Sequence, residues 1–188
     1  KADLRAKASI SLISFSALRP ETLGSGNDGL KISDLPELTI KDNKISFTKT
    51  PCIVKVRSEL SKTGKSYFTF LSEEGCTHLK RYLEERIAAG EILTNNSPVI
   101  AVMPDKMLAG FRRDLKNRHI TAKAVAQEIR VVMRPKYYFR PYDLRSYFET
   151  AALRGEHKHK LPRDYRVFMM AHKGDIEAQY SLNRGYVS

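Results

Sequence analysis

Residues 2–16 (ADLRAKASISLISFS) place Leu4, Ile10, Leu12, Ile13 and Phe15 on a broad apolar stripe at helical spacing, which predicts a buried helix. Pro20 disfavours helical geometry at Arg19, and Gly24, Gly26 and Gly29 mark a turn-rich connection. Residues 31–40 follow neither period and read as irregular. The period then becomes two. Residues 44–50, 52–58 and 66–72 alternate apolar with polar and are rich in Ile, Val, Phe and Thr, which predicts three strands, the last two joined through a turn at Thr63-Gly64. Helical spacing returns at 73–89 behind a Ser72 cap, with Cys76, Leu79, Leu83 and Ile87 on one face, and at 122–133 behind Thr121, with Val125, Ile129 and Val132 aligned. Further helices are expected at about 142–154, 163–172 and 174–181. The chain reads as a mostly helical α+β domain with a small three-stranded antiparallel sheet in its N-terminal third.

A chain of 188 residues with 41% hydrophobic content is long enough to build one sizeable core. No apolar run approaches eighteen residues and no leader pattern is present, which argues against membrane insertion and secretion. The chain begins at Lys1 inside a helical pattern, as expected of a domain excised from a longer protein. The formal charge of +12 favours a polyanionic partner, nucleic acid before membrane, because no basic amphipathic segment carries the aromatic face that lipid binding needs. Cys52 and Cys76 lack metal spacing and fit a reducing cytosol, so a cytoplasmic, nucleoid-associated location is expected. Cys76 and His78 with His157 and His159 match no common zinc pattern, and the acidic residues form no paired set for two-metal chemistry. The glycines at 24–29 lack the spelling of a phosphate-cradling loop. No metal or cofactor is expected.

Candidate chemistry lies in short boxes. Arg19 sits in ALRPETLG and Lys62 in SKTGK. Tyr142 and Arg145 sit in YDLRSYF, His172 in MAHKGD and Tyr180 in HKGDIEAQY. In that order they resemble the catalytic domain of the tyrosine recombinase (phage integrase) family, over roughly residues 10–185 and with a spelling most like archaeal viral or plasmid integrases. The resemblance implies a site-specific recombinase that cuts and rejoins duplex DNA at attachment sites through a 3′-phosphotyrosyl link. It also implies a separate core-binding domain N-terminal to residues 1–188, and a homotetramer on DNA.

The chemistry behind those boxes is coherent. Attack on phosphorus builds charge on the non-bridging oxygens, and the planar guanidiniums of Arg19 and Arg145 suit that charge. In the role the family implies, Lys62 protonates the 5′-oxygen leaving group; Lys65 is the alternative. His172 would hydrogen-bond the scissile phosphate. Tyr180 would be the nucleophile, with Tyr186 the alternative beyond it, and a cationic pocket must favour its phenolate. Tyr142 stands where the family usually has histidine; a phenol can donate to a phosphate oxygen but is a poor general base at neutral pH. Thr22 holds the place of the family's acidic residue, and Glu21 lies one position early. Three other readings stay open: a non-cleaving DNA-binding module of the same fold, a type IB topoisomerase that relaxes supercoils, and a general basic RNA-binding protein.

Overall fold

A computed structural model of the chain describes residues 3–102, 119–134, 140–158 and 160–171. Helix α1 (Leu4–Ser16) is the central element, packed against α3 (Glu73–Ala88), α4 (Ala122–Met133), α5 (Pro141–His157) and strand β4 (Tyr67–Leu71). The stripe expected from its large residues is only part of its contact surface. Leu12 and Ile13 are fully buried, but so are Ala6, Ala8, Ser9 and Ser16, while Leu4, Ile10 and Phe15 are half-buried. Small side chains let neighbours approach from several sides, so the helix is enclosed rather than amphipathic.

The sheet differs from expectation. Instead of one three-stranded sheet there are two antiparallel pairs, β1 (Leu38–Lys41) with β2 (Lys44–Phe47), and β3 (Cys52–Val56) with β4. The strand expected at 44–50 pairs backward, with residues that read as irregular. The reason lies in Asp42 and Asn43, both at positive φ (49° and 59°), which close a two-residue turn whose twist matches that of the strands. Beyond β2, residues 48–51 are exposed bends ending at Pro51, which has no N–H for a ladder.

In the second pair the register runs from Cys52 opposite Leu71 to Val56 opposite Tyr67. Cys52, Val54, Val56, Tyr67 and Leu71 face the core, and Phe68 on the other face of β4 meets Phe168 of α6 (Arg163–Met169) edge-on at 4.9 Å. The expected turn at Thr63-Gly64 is present, with Gly64 at φ 68°. It belongs to a longer connection, 57–66, that also holds a short 3-10 turn at Ser58–Leu60.

Both helix caps read from the sequence form. Ser72 accepts from Gly75 N at 3.2 Å and Thr121 from Ala124 N at 3.2 Å. Helix α2 (Pro20–Leu23) is short, and the segment after it is drawn against residues 119–121. Gly24 lies so close to Ile120 that a Cβ would meet its carbonyl oxygen at 2.1 Å, and Gly26 N donates to the same carbonyl. No helix among the described residues is long and apolar enough to cross a membrane.

Candidate active site

Arg19 owes its position to two backbone features. Helix α1 ends at Ala17, which is left-handed (φ 53°), and Arg19 then caps α2 in extended geometry (φ −81°, ψ 150°) with Pro20 at the first helical position. The half-buried guanidinium makes no hydrogen bond or ion pair among the described residues. Thr22, three residues on, is buried and donates through Oγ1 to the Leu60 carbonyl at 3.4 Å, tying α2 to the 57–66 connection. Lys62 lies two residues past Leu60 on that connection, exposed to solvent, and Lys65 is exposed on the same segment.

Arg145 comes from the second turn of α5 and is only 5% exposed. Its Nη1 donates to the Ala17 carbonyl at 2.6 Å and its Nη2 to the Met170 carbonyl. Each of these carbonyls lies two residues before a residue singled out by the sequence, Arg19 in one case and His172 in the other. Arg145 thus clamps the end of α1 to the end of α6 with two of the five N–H donors of its guanidinium, leaving three for a ligand. Burial lowers its pKa first, and the neighbouring Arg19 charge lowers it further, against weaker opposition from Tyr67, Tyr142 and Glu149. Tyr142 stands one turn before Arg145 on α5 and is 54% exposed.

The electrostatics set this pair apart from the other described arginines that are not exposed. Arg5 is held by Glu128 at 2.9 Å, Arg57 by Asp28 at 3.1 Å and Asp34 at 3.3 Å, Arg86 by Glu91 at 2.6 Å, and Arg166 by Glu156 at 2.9 Å. Arg19 and Arg145 have no carboxylate partner among the described residues. Two like charges, one of them buried, raise each other's energy, and an anion between them removes that penalty. Thr22 in the place of an acid is consistent with this, because its hydroxyl adds no negative charge.

The structure therefore brings together Arg19, Arg145 and Tyr142, with Lys62 on a segment tied to α2. His172, Tyr180 and the alternative Tyr186 lie outside the described residues, as does the helix expected at 174–181. One neighbour of the pair has no signal in the sequence beyond being an aromatic residue in a strand. Tyr67 opens β4, is 7% exposed, and feels both guanidiniums. A surface cavity of about 570 Å³ lies elsewhere, between α5 and α6, lined by Glu156, His157, Leu161, Pro162 and Arg163. It contains none of the expected site residues.

Compared with solved structures, the chain superimposes on the crystal structure of XerA recombinase with a TM-score of 0.59 at 18% identity, over 99% of this chain and 59% of that one. The chain has the fold of XerA recombinase. The α+β recombinase fold expected from the boxes is the fold observed, over a chain that spans about three-fifths of XerA. The XerH site-specific recombinase bound to difH substrate, in a pre-cleavage complex, aligns with a TM-score of 0.48 at 14% identity, over 98% of this chain and 47% of that one. That score is too low to bear on the fold. No family model and no curated protein matches the sequence.

Proposed function

We propose that the chain is the catalytic domain of a site-specific DNA recombinase that cuts and rejoins duplex DNA. One observation carries this reading: a pair of arginines without carboxylate partners among the described residues, Arg19 and Arg145, set at the junction of α1, α2 and α5 in a fold shared with XerA recombinase. The +12 charge is consistent with a DNA partner.

In this mechanism the two guanidiniums hold the non-bridging oxygens of the scissile phosphodiester, and they bind more tightly as charge grows in the transition state. The Tyr180 oxygen attacks phosphorus and the bond to the 5′-oxygen breaks. The phenol gives up its proton to solvent water as the nucleophile forms, and Lys62 donates a proton to the departing 5′-oxygen. His172 and Tyr142 donate hydrogen bonds to the phosphate. The product is a 3′-phosphotyrosyl link and a free 5′-hydroxyl. Because the phosphodiester energy is kept in that link, the reverse attack by a 5′-hydroxyl reseals the strand. A larger recombinase with a core-binding domain, assembled as a tetramer on paired attachment sites, completes the proposal, and the HKGDIEAQY spelling favours an integrase of archaeal mobile-element type.

The test uses a pool of nicked suicide duplexes, from which the leaving strand diffuses away, and looks for a protein–DNA band that survives a denaturing gel. The band is expected with the natural sequence and absent in Tyr180→Phe. A band that persists in Tyr180→Phe moves the nucleophile to Tyr186. DNA binding with no band on any duplex overturns cleavage and favours the non-cleaving module, the reading to which Tyr142 in place of histidine lends most support.

A further inference from the structure

Tyr67 is buried among apolar neighbours at the start of β4, opposite Val56, yet its hydroxyl makes no hydrogen bond among the described residues. The other tyrosine buried among the described residues shows what a structural phenol does here. Tyr82 Oη accepts from Ala101 N at 3.1 Å and faces the Ala101 carbonyl at 3.4 Å. A buried hydroxyl without a partner is costly, and a site with no use for the oxygen is filled as well by phenylalanine. β4 itself uses phenylalanine at 68 and 70.

The surroundings of Tyr67 point one way. Thr22 lies beside it and donates to the Leu60 carbonyl; its oxygen keeps lone pairs that act on the phenol, but the geometry forms no hydrogen bond between the two hydroxyls. The other polar groups acting on the phenol are the guanidiniums of Arg145 and Arg19, which have donors only and can accept nothing from it. Burial raises the phenol's pKa in spite of those two cations and Thr22, so the hydroxyl keeps its proton at neutral pH. Among the described residues it is a donor without an acceptor, beside two cations that no carboxylate binds. One phosphate oxygen would satisfy all three.

We propose that the Tyr67 hydroxyl is a third hydrogen-bond donor of this site, directed at a non-bridging oxygen of the phosphodiester that Arg19 and Arg145 hold. The inference rests on the recombinase reading for the identity of the phosphate, though not for the presence of an anion. The hydroxyl has no solvent contact, so the anion reaches it through a side-chain shift. Arg19, which makes no hydrogen bond or ion pair among the described residues, is able to make that shift.

The experiment compares the chain with its Tyr67→Phe variant, which keeps the ring and removes the oxygen, using Arg19→Gln as a control for loss of the anion site. Three quantities are read: Tm without added anion, the rise in Tm caused by inorganic phosphate, and the rate of covalent adduct formation on the suicide duplex. Tyr67→Phe is expected to leave Tm unchanged or higher and to shrink the phosphate-induced rise, as Arg19→Gln does. It should slow adduct formation about ten- to a hundredfold, the range for one hydrogen bond to a charged group. An unchanged rate with an undiminished phosphate rise overturns the proposal. So does a fall in Tm with the phosphate rise intact, which makes the hydroxyl structural. If the natural sequence forms no adduct, the recombinase reading fails by itself and the phosphate rise decides for Tyr67. A rise diminished in Tyr67→Phe then supports the donor, and an equal rise removes it.

Discussion

Two buried arginines in this molecule have opposite surroundings. Arg86, on α3, is fully enclosed, and all three nitrogens of its guanidinium find acceptors. Glu91 accepts from Nε at 2.8 Å and from Nη2 at 2.6 Å, the carbonyls of Pro98 and Val99 accept from Nη1 at 2.7 and 3.1 Å, and the cation lies 5.5 Å from the centre of the Tyr82 ring. Arg145 is nearly as buried, yet it meets two carbonyls, no carboxylate among the described residues, and a second arginine. The first arrangement is complete without a ligand. The second holds net positive charge out of water, a state that folding alone does not favour and that an anion relieves. Burial therefore does not distinguish an arginine completed within the fold from one left open to an anion. The inventory of counter-charges does.

The comparison can be broken at either end. The largest effect on stability belongs to the closed cluster. Arg86→Ala takes from Glu91, in a mostly buried position, the guanidinium that it binds at 2.6 and 2.8 Å, and a loss of about 3–5 kcal/mol is expected in denaturant unfolding. The double change Arg86→Met with Glu91→Leu should recover most of it, because neither charge is then left alone; failure to recover would mean that the carbonyl contacts at 98 and 99 dominate. At the open cluster the pattern reverses. Arg19→Ala should slow strand cleavage about a hundredfold to a thousandfold while Tm stays level or rises, since a like charge leaves the neighbourhood of Arg145. A clear drop in Tm would show that Arg19 is structural after all.

The smallest effect is an acid one. Arg57 holds the Asp28 carboxyl at about 2, below its ordinary value of 3.8. A folded pKa below the unfolded one gives stability that is present above about pH 4 and lost as the pH falls towards 2. The Tm difference between the natural sequence and Asp28→Asn should therefore be present at pH 6 and shrink between pH 4 and 2. A difference that stays constant over that range would remove the carboxylate–guanidinium pair as its source.

How much could be read in advance depends on how local each cause is. Helices α3 and α4 match their expected ranges closely, because one apolar face and a capping serine or threonine are properties of consecutive residues. The β1–β2 hairpin was hidden. LTIK is too short to show alternation, and the Asp42-Asn43 turn becomes informative only once its two flanks are known to pair. At the site, Arg19 and Arg145 were legible through the spelling around them, and the extended backbone at Arg19 through the proline that follows it. Tyr67 was not legible. A tyrosine at an inward position of a strand looks like core, and only an unpartnered hydroxyl under the influence of two guanidiniums sets it apart.

The amino-acid sequence by itself determined the helix faces, the caps, the basic charge and the order of the boxes, because periodicity, capping chemistry and composition act within a few residues or are simple sums. The tertiary structure alone decided which strands pair, and that Arg145 joins the carbonyls of Ala17 and Met170 across the fold. It alone also showed which of the enclosed arginines found carboxylates and that, among the described residues, Arg19 and Arg145 did not. Those outcomes depend on distances between segments remote in the chain, and Coulomb and hydrogen-bond energies are set by such distances and not by position along the sequence.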